Sequence, residues 1–267
     1  MRSSVAIASI MAWWVSDAGA SDTSRRTMDA RFLHLLPEPV VAIVREIETY
    51  SNGKQVEVLF DAKAGSPLCW VSPKRALIIF PSEAAVTPAA LVHEILHIQR
   101  NWPQQVPQII GAERSLNQFA GYVDNLLEHV VILPRQVAVG FGEMDKWTKA
   151  IQEDWETRMV WRGIAEPFQR RSNLLLLFLG VDHLLPGSPQ HQLAMEKLRE
   201  EKVLEEALRF SADVGRVKTS KEKMTGVVAR YLKVERAIKL QRADLKSGKM
   251  VDVPIALDVE ITPAPVK

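Results

Sequence analysis

The residues best suited to chemistry are two histidines and a glutamate within the stretch ALVHEILHIQR, residues 90–100. Side chains four positions apart lie on the same face of a helix, so His93 and His97 can both direct an imidazole at one metal ion. Glu94 projects from a neighbouring position, close enough to hold a metal-bound water and to take its proton. The spacing therefore predicts a zinc site that activates water.

The alternative is an ordinary core helix whose histidines are satisfied by hydrogen bonds. Burying two imidazoles and a carboxylate within about one turn is costly when no metal is present. A metal site, in contrast, gains from an apolar surround that keeps it dry and holds its ligands in place. Apolar residues lie within and around the motif, and we therefore favour the metal site. These residues are Leu91, Val92, Ile95, Leu96 and Ile98.

The stretch HEILH resembles the HExxH signature of the zincin metallopeptidases, which lies on the active-site helix of those enzymes. The resemblance covers roughly residues 56–134 and implies an α+β fold with a small β-sheet packed on that helix. It also implies that Glu94 is the general base in peptide-bond hydrolysis, and that substrate binds along the edge strand RALIIF, residues 75–80. Gln99 departs from the extended zincin pattern, which usually has an apolar residue there.

The third metal ligand has two candidates on a later helix. A catalytic zinc usually has three protein ligands and one open position for water. Arg100 and Pro103 stand where the metzincins have a glycine and a third histidine, so the sequence argues against a metzincin site. Gluzincins instead use a glutamate, and the stretch DNLLEHVVILP offers Glu128, with 30 residues between His97 and it. We favour Glu128 because His, His and Glu form a known catalytic set, and His129 is the alternative because three histidines form another.

Further residues could support the site. Asp124 and Asn125 lie one turn before Glu128 and could each accept a hydrogen bond from a zinc-bound histidine. Stabilisation of the oxyanion needs another polar group, whose position the sequence leaves open. The candidates are Tyr122, His183, His191 and Tyr231.

The elements that position the motif are predicted from periodicity and turn residues. Residues 28–50 have helical spacing, and residues 54–60 and 75–80 have the character of strands, so we expect two to four short strands. Thr87 is a good N-cap and Pro88 suits the first turn of the motif helix. The rest of the chain is predicted to be mainly helical. These helices cover residues 115–133 (ended by Pro134), 143–163, 174–185, 191–214 and a basic amphipathic segment, 221–245.

The predicted organisation is a catalytic unit followed by a helical part, with a weak boundary at PGSP, residues 186–189. It comprises a leader (1–27), a zincin-like catalytic domain (28–185), a helical extension (186–250) and a loose tail (251–267). The leader is either a secretory signal ending near Ala18-Gly19-Ala20 or a segment before the true start at Met28. We expect a cytoplasmic protein, and an exported one if residues 1–20 are a signal peptide.

The composition of the chain restricts the classes of partner that it is expected to bind. The formal net charge of +2 gives no electrostatic reason to expect nucleic acid, and no apolar run is long enough for a membrane span. Cys69 is the single cysteine, so no intramolecular disulfide can form. We expect a zinc-dependent peptidase with a peptide or protein substrate. The alternative is a zincin-like sensor or interaction module whose C-terminal helices could bind a regulatory protein, but such a module would not need Glu94.

Overall fold

The computed structural model describes residues 26–27, 30–52, 56–142, 149, 151–153, 155–156 and 167–262. Within these ranges the fold is mixed α+β, which confirms the predicted class, whereas a zincin-like topology stays a prediction. Residues 1–25 and Met28 lie outside the described ranges, so both interpretations of the leader stay predictions. In chain order the elements are β1 (Arg26–Thr27), α1 (Ala30–Leu33), α2 (Glu38–Tyr50), β2 (Val56–Phe60), β3 (Leu68–Val71), β4 (Ala76–Phe80), α3 (Pro88–Asn101), β5 (Gln108–Gly111), α4 (Asn117–Ala138), α5 (Pro167–Leu184), α6 (Pro189–Glu200), α7 (Leu204–Arg216), α8 (Lys221–Leu232), β6 (Ile238–Asp244) and β7 (Lys249–Val253).

The first sheet has the strand order β1-β2-β4-β3 and packs against α3 through β3 and β4. Strands β2 and β4 are parallel, and β3 runs antiparallel to β4. The prediction that RALIIF forms the edge is wrong, because β4 has β2 on one side and β3 on the other. All five residues of β4 are buried, as expected for a strand covered on both faces. Among the strands that the structure describes, the one at the edge beside α3 is β3.

Helix α3 forms as the sequence predicts. The Thr87 side chain accepts a hydrogen bond from the Ala90 backbone N–H at 3.2 Å, and Pro88 occupies the first turn. The apolar residues of the motif are buried in a core shared with α2 and the first sheet. At the far end, the Trp102 indole N–H donates to the Ser72 carbonyl oxygen at 3.1 Å, which ties the helix terminus to the turn after β3. The helix that carries the two histidines is therefore fixed at both ends.

Helix α4 continues to Ala138, so the prediction that Pro134 ends it is wrong. A proline inside a helix removes one backbone hydrogen bond, and the helix continues only where other contacts compensate. Here Ile132 and Leu133 are buried just before the proline. The Gln136 side chain also donates to two carbonyl oxygens outside its own helix, those of Ala89 and Phe141. These contacts hold the last turn of α4 against the start of α3.

A second core joins α4 to the C-terminal helices and to the sheet β5-β6-β7. Residues on both sides of the predicted boundary at 185/186 contribute to this core. Those before it include Leu174, Phe178 and Val181, and those after it include Ala194, Leu198, Phe210 and Val227. In the part of the chain that the structure describes, every helix is either too short or too polar to span a bilayer.

The predicted helix over 221–245 is wrong in its second half. Helix α8 ends at Leu232, where Lys233 adopts a left-handed conformation with φ of 52°, and strand β6 follows. In β6 the side chains of Ile238 and Leu240 are buried while Lys239 is exposed. This alternation has the period of a strand, which the basic composition of the segment conceals.

Residues 251–262 of the predicted loose tail are instead held against the helical part. Residues 249–253 pair with β6. Further on, the Thr262 backbone N–H and hydroxyl donate to the buried Asp213 carboxylate at 2.8 and 2.7 Å, and Arg230 donates to the Val259 carbonyl oxygen. Residues 263–267 lie outside the described ranges.

A glycine in α8 allows this close approach of the tail. A Cβ atom at Gly226 would lie 2.0 Å from the Ala256 carbonyl oxygen, so Gly226→Ala should lower the free energy of unfolding by about 1–3 kcal/mol. Denaturant unfolding measures this change. Gly121→Ala in α4 is the matched control, because nothing lies within 4 Å of a Cβ there, and it should stabilise the helix by about 0.5–1 kcal/mol. Equal stabilities for the two variants would contradict the docked tail.

Candidate metal centre

Three imidazoles meet where α3 packs against α4. The Nε2 atom of His93 lies 3.1 Å from Nε2 of His129 and 3.3 Å from Nε2 of His97. One ligand atom from each of the three residues lies within 4.8 Å of the others. Two nitrogens that share a tetrahedral zinc at about 2.0–2.1 Å are about 3.3 Å apart. The spacing of His93 from its two neighbours thus fits a shared ion, and the cluster could hold a metal.

The Gln136 side chain determines which nitrogen of His93 faces the cluster. The Gln136 amide NH2 donates to the carbonyl oxygens of Ala89 and Phe141 at 3.2 and 3.1 Å. Its Oε1 atom therefore faces His93 Nδ1, 3.0 Å away, and because this oxygen can only accept, His93 Nδ1 carries the proton. His93 Nε2 then presents a lone pair to the other two rings. One lone pair cannot accept a good hydrogen bond from both His97 and His129, but it can bind a metal.

Burial keeps these histidines neutral. Desolvation lowers the pKa of His93 and His129, and burial together with the neighbouring His93 ring lowers the pKa of His97 to about 3. Neutral imidazole is the form that coordinates a metal, so the three rings need not lose a proton to bind one at neutral pH.

The Glu94 carboxyl lies between α3 and the edge strand β3. Its residue is only 5% exposed, and burial raises its pKa to about 8 despite hydrogen bonds from the thiol and the backbone of Cys69. Cys69 belongs to β3, so the edge of the sheet is held directly against the motif. The carboxyl is therefore buried, held by named partners and adjacent in sequence to the first histidine of the cluster.

The sequence-based placement of Glu128 beside His93 and His97 needs correction. The Arg100 guanidinium binds both Glu128 oxygens, at 2.5 and 3.1 Å, and Lys221 Nζ donates to Oε1 at 2.8 Å. Burial alone would raise the pKa of the Glu128 carboxyl, but the charges of Lys221 and Arg100 outweigh it and lower that pKa to about 2. The carboxylate is thus occupied by two cations, and the next residue on the helix, His129, joins the cluster instead.

Four of the other predicted supporting residues, namely Asp124, His183, His191 and Tyr231, have partners outside the histidine cluster. The Asp124 carboxylate accepts from the Ile109 backbone N–H at 2.8 Å and pairs with Lys221 at 2.9 Å. Three of the four candidates for oxyanion stabilisation bond within the helical part: His183 to Ser211, His191 to Asp182 and Tyr231 to Asp213. No described hydrogen bond links them to the histidine cluster.

Sequence reasoning missed Gln136, Arg100 and Lys221. Gln136 follows His129 by seven positions, or about two helical turns, so its place on the same face as His129 was readable from the sequence. Arg100 likewise lies one turn after His97. Lys221 gave no such signal, because its partners lie 93 and 97 positions away in the chain.

Replacing Gln136 with leucine should weaken the binding of a metal ion by the cluster about ten- to a hundredfold, because the hydrogen bond that orients the candidate ligand His93 is lost. Zinc is the ion to use as the probe. Competition with a chromophoric chelator measures the affinity. Gln99→Leu is the matched control: Gln99 is also a buried glutamine near the cluster in sequence, but its amide donates to Glu46 rather than to a histidine. If Gln136→Leu bound zinc as tightly as Gln99→Leu, the inferred role of the Gln136 amide would be wrong.

Comparison with known proteins leaves the centre to be judged on its own geometry. The chain matches no protein-family model, no curated protein and no solved structure.

Proposed function

We propose that this protein is a zinc-dependent metallopeptidase. The observation that carries the proposal is the convergence of three imidazole nitrogens within 4.8 Å of one another. Two of the three come from the helix that also carries the buried carboxyl of Glu94. The ligands would be His93, His97 and His129, and Glu94 would be the general base. The cytoplasm remains the predicted compartment.

Zinc is the metal that suits this set of donors best. Imidazole nitrogen is a preferred ligand of zinc, and three histidines with one open position form a known catalytic arrangement. A zinc ion held there would lower the pKa of a bound water toward neutrality and would polarise the carbonyl to be attacked. The residues present fit that ion, because burial lowers the pKa of all three imidazoles and so keeps them neutral, and Gln136 fixes the tautomer of His93.

Glu94 would move the proton. The step requires a carboxylate that takes a proton from water and returns it to the leaving amine. In the protein without a metal, burial raises the pKa of Glu94 to about 8, so most of the group is protonated at neutral pH. The positive charge of an ion held by the histidines would lower that pKa and favour the carboxylate that the step needs. Glu94 precedes Ile95 and Leu96 on a fully buried helix segment, and the hydrogen bonds from Cys69 restrain its carboxyl against β3. A binding module without catalysis would have no need of this restrained carboxyl.

A peptide is the substrate that the neighbouring sheet supports. Strand β3 is the outermost strand of the described sheet on the side of α3, and it contacts Glu94 through Cys69. An extended peptide could pair with the outer edge of β3 through its backbone, as in other strand-addition complexes. Such pairing would place the peptide backbone alongside the helix that carries His93 and His97.

The test combines metal analysis with a substrate search. Purified protein should contain near-stoichiometric zinc, and it should cleave members of a peptide library in a reaction that a chelator stops and zinc restores. Cleavage products are identified by mass spectrometry. Protein without zinc after mild reconstitution would overturn the proposal. Zinc-loaded protein that cleaves nothing in the library would favour the sensor or interaction module.

A further inference from the structure

Four charged residues form a largely buried group of ion pairs, which we call the ion network. Arg100 comes from α3, Asp124 and Glu128 from α4, and Lys221 from α8. The Lys221 side chain is only 1% exposed, and its ammonium contacts the Asp124 carbonyl at 3.1 Å, the Asp124 carboxylate at 2.9 Å and the Glu128 carboxylate at 2.8 Å. All three donors of the amine are therefore used.

We infer that the ion network is a positioning device for the metal ligand His129, and that α8 of the helical part is consequently required for tight metal binding. The inference rests on the proposed metal-dependent function. The contacts described for these four residues are with one another and with the backbone, so the inference assigns them a role that acts through His129.

A charged clamp fixes the placement of α3 relative to α4. The Arg100 guanidinium donates hydrogen bonds to both carboxylate oxygens of Glu128. Such a bidentate pair fixes the relative orientation of the two side chains as well as their distance. Arg100 lies one turn beyond His97, and Glu128 directly precedes His129. The clamp therefore joins the two ligand helices within one turn of a ligand on each. Rotation or sliding of α4 relative to α3 would break the clamp and move His129 away from His97.

Lys221 joins a third helix, α8, to α4. Lys221 is the first residue of α8, and its ammonium binds two consecutive turns of α4 by way of Asp124 and Glu128. A buried amine is costly unless it is fully paired, so its three contacts hold α8 and α4 in one arrangement. The same α8 belongs to the second hydrophobic core, whereas α3 belongs to the first. The network thus connects the helical part to the metal ligands through α4.

The direction of the change in metal affinity distinguishes a positioning role of the ion network from a simple effect of its charge. The four side chains carry two positive and two negative charges, so the network adds no net charge beside the cluster. Lys221→Met removes one positive charge close to a cation site, and by charge alone this should strengthen metal binding. A positioning role predicts the opposite, because His129 loses part of its support. The direction of the change in affinity therefore separates the two effects.

The experiment measures zinc affinity by chelator competition, and the absorption spectrum of the Co2+-loaded full-length protein, for wild type and for Lys221→Met. We expect about ten- to a hundredfold weaker zinc binding and an altered Co2+ spectrum in the variant. Arg171→Met is the matched control. It removes another partly buried cation of the helical part, which pairs with Glu206 and contacts the Tyr231 carbonyl oxygen, and it should bind both metals like wild type.

Each outcome of this experiment either supports or overturns the positioning role of the ion network. Unchanged or tighter zinc binding in Lys221→Met would overturn the inference, as would an equal loss in Arg171→Met, which would indicate general loosening. If wild type bound neither zinc nor cobalt, the proposed function itself would fail. Should Lys221→Met not fold, Arg100→Lys takes its place. It keeps the charge but loses the fork, and it should also weaken zinc binding; wild-type affinity and spectrum in that variant would overturn the inference.

Discussion

Replacing His129 with alanine should deprive the protein of stoichiometric zinc. Removing one of three imidazole ligands should lower the affinity by about three orders of magnitude, because a structural zinc site gains about 10–16 kcal/mol from its whole ligand set. Elemental analysis of the purified protein, supported by chelator competition, measures the loss. His97→Ala should behave in the same way, since both Nε2 atoms belong to the cluster.

Glu128→Gln is the informative companion to His129→Ala. Glutamine keeps the size of the side chain and part of its hydrogen bonding to Arg100 and Lys221 but loses the charge. We expect measurable zinc binding, weakened about ten- to a hundredfold, because the support of His129 is damaged while the ligand itself remains. The opposite order, with Glu128→Gln losing zinc and His129→Ala retaining it, would restore the glutamate as third ligand and refute the three-histidine site.

The choice between Glu128 and His129 as third ligand could not be made from the sequence alone. The motif helix was predictable, including its cap at Thr87, because capping and apolar periodicity are local properties. Which face of α4 meets α3 is not local. Glu128 and His129 lie about 100° apart on that helix, and neither lies on its apolar stripe. The choice depends on Arg100 and on Lys221, which folding brings from 93 positions away.

The position of β4 within the first sheet also could not be predicted from the sequence. The strand character of residues 76–80 was evident from composition, but the position of that strand in the sheet depends on its partners. Strand β3 was hidden among turn residues, and its pairing converts β4 from a predicted edge into a central strand. In the same way, strand β6 lies in the second half of the segment that was predicted to be a basic helix. Its pairing with β5 and β7 outweighs the weak local preference of its residues for a helix.

Replacing Glu94 with glutamine should abolish peptide cleavage while leaving zinc in place. The variant keeps the shape of the side chain and can still bond to Cys69, but it cannot take a proton from water. Loss of a general base lowers kcat by about two to four orders of magnitude. Because Glu94 is not one of the clustered ligands, zinc content should equal that of wild type. The measurement is kcat/KM on a cleaved library peptide, with zinc quantified in the same samples.

A second glutamate serves as the matched control for this prediction. Glu206 is partly buried and pairs with Arg171 in the helical part, so Glu206→Gln makes the same chemical change away from the cluster and should alter kcat/KM by less than about twofold. Cleavage by Glu94→Gln at more than about a tenth of the wild-type rate would exclude Glu94 as the general base, because a missing base costs at least a hundredfold. Loss of zinc in Glu94→Gln would instead give the carboxyl a role in holding the metal. Only full zinc content combined with lost cleavage assigns proton transfer to Glu94 and separates a catalytic centre from a metal-binding module.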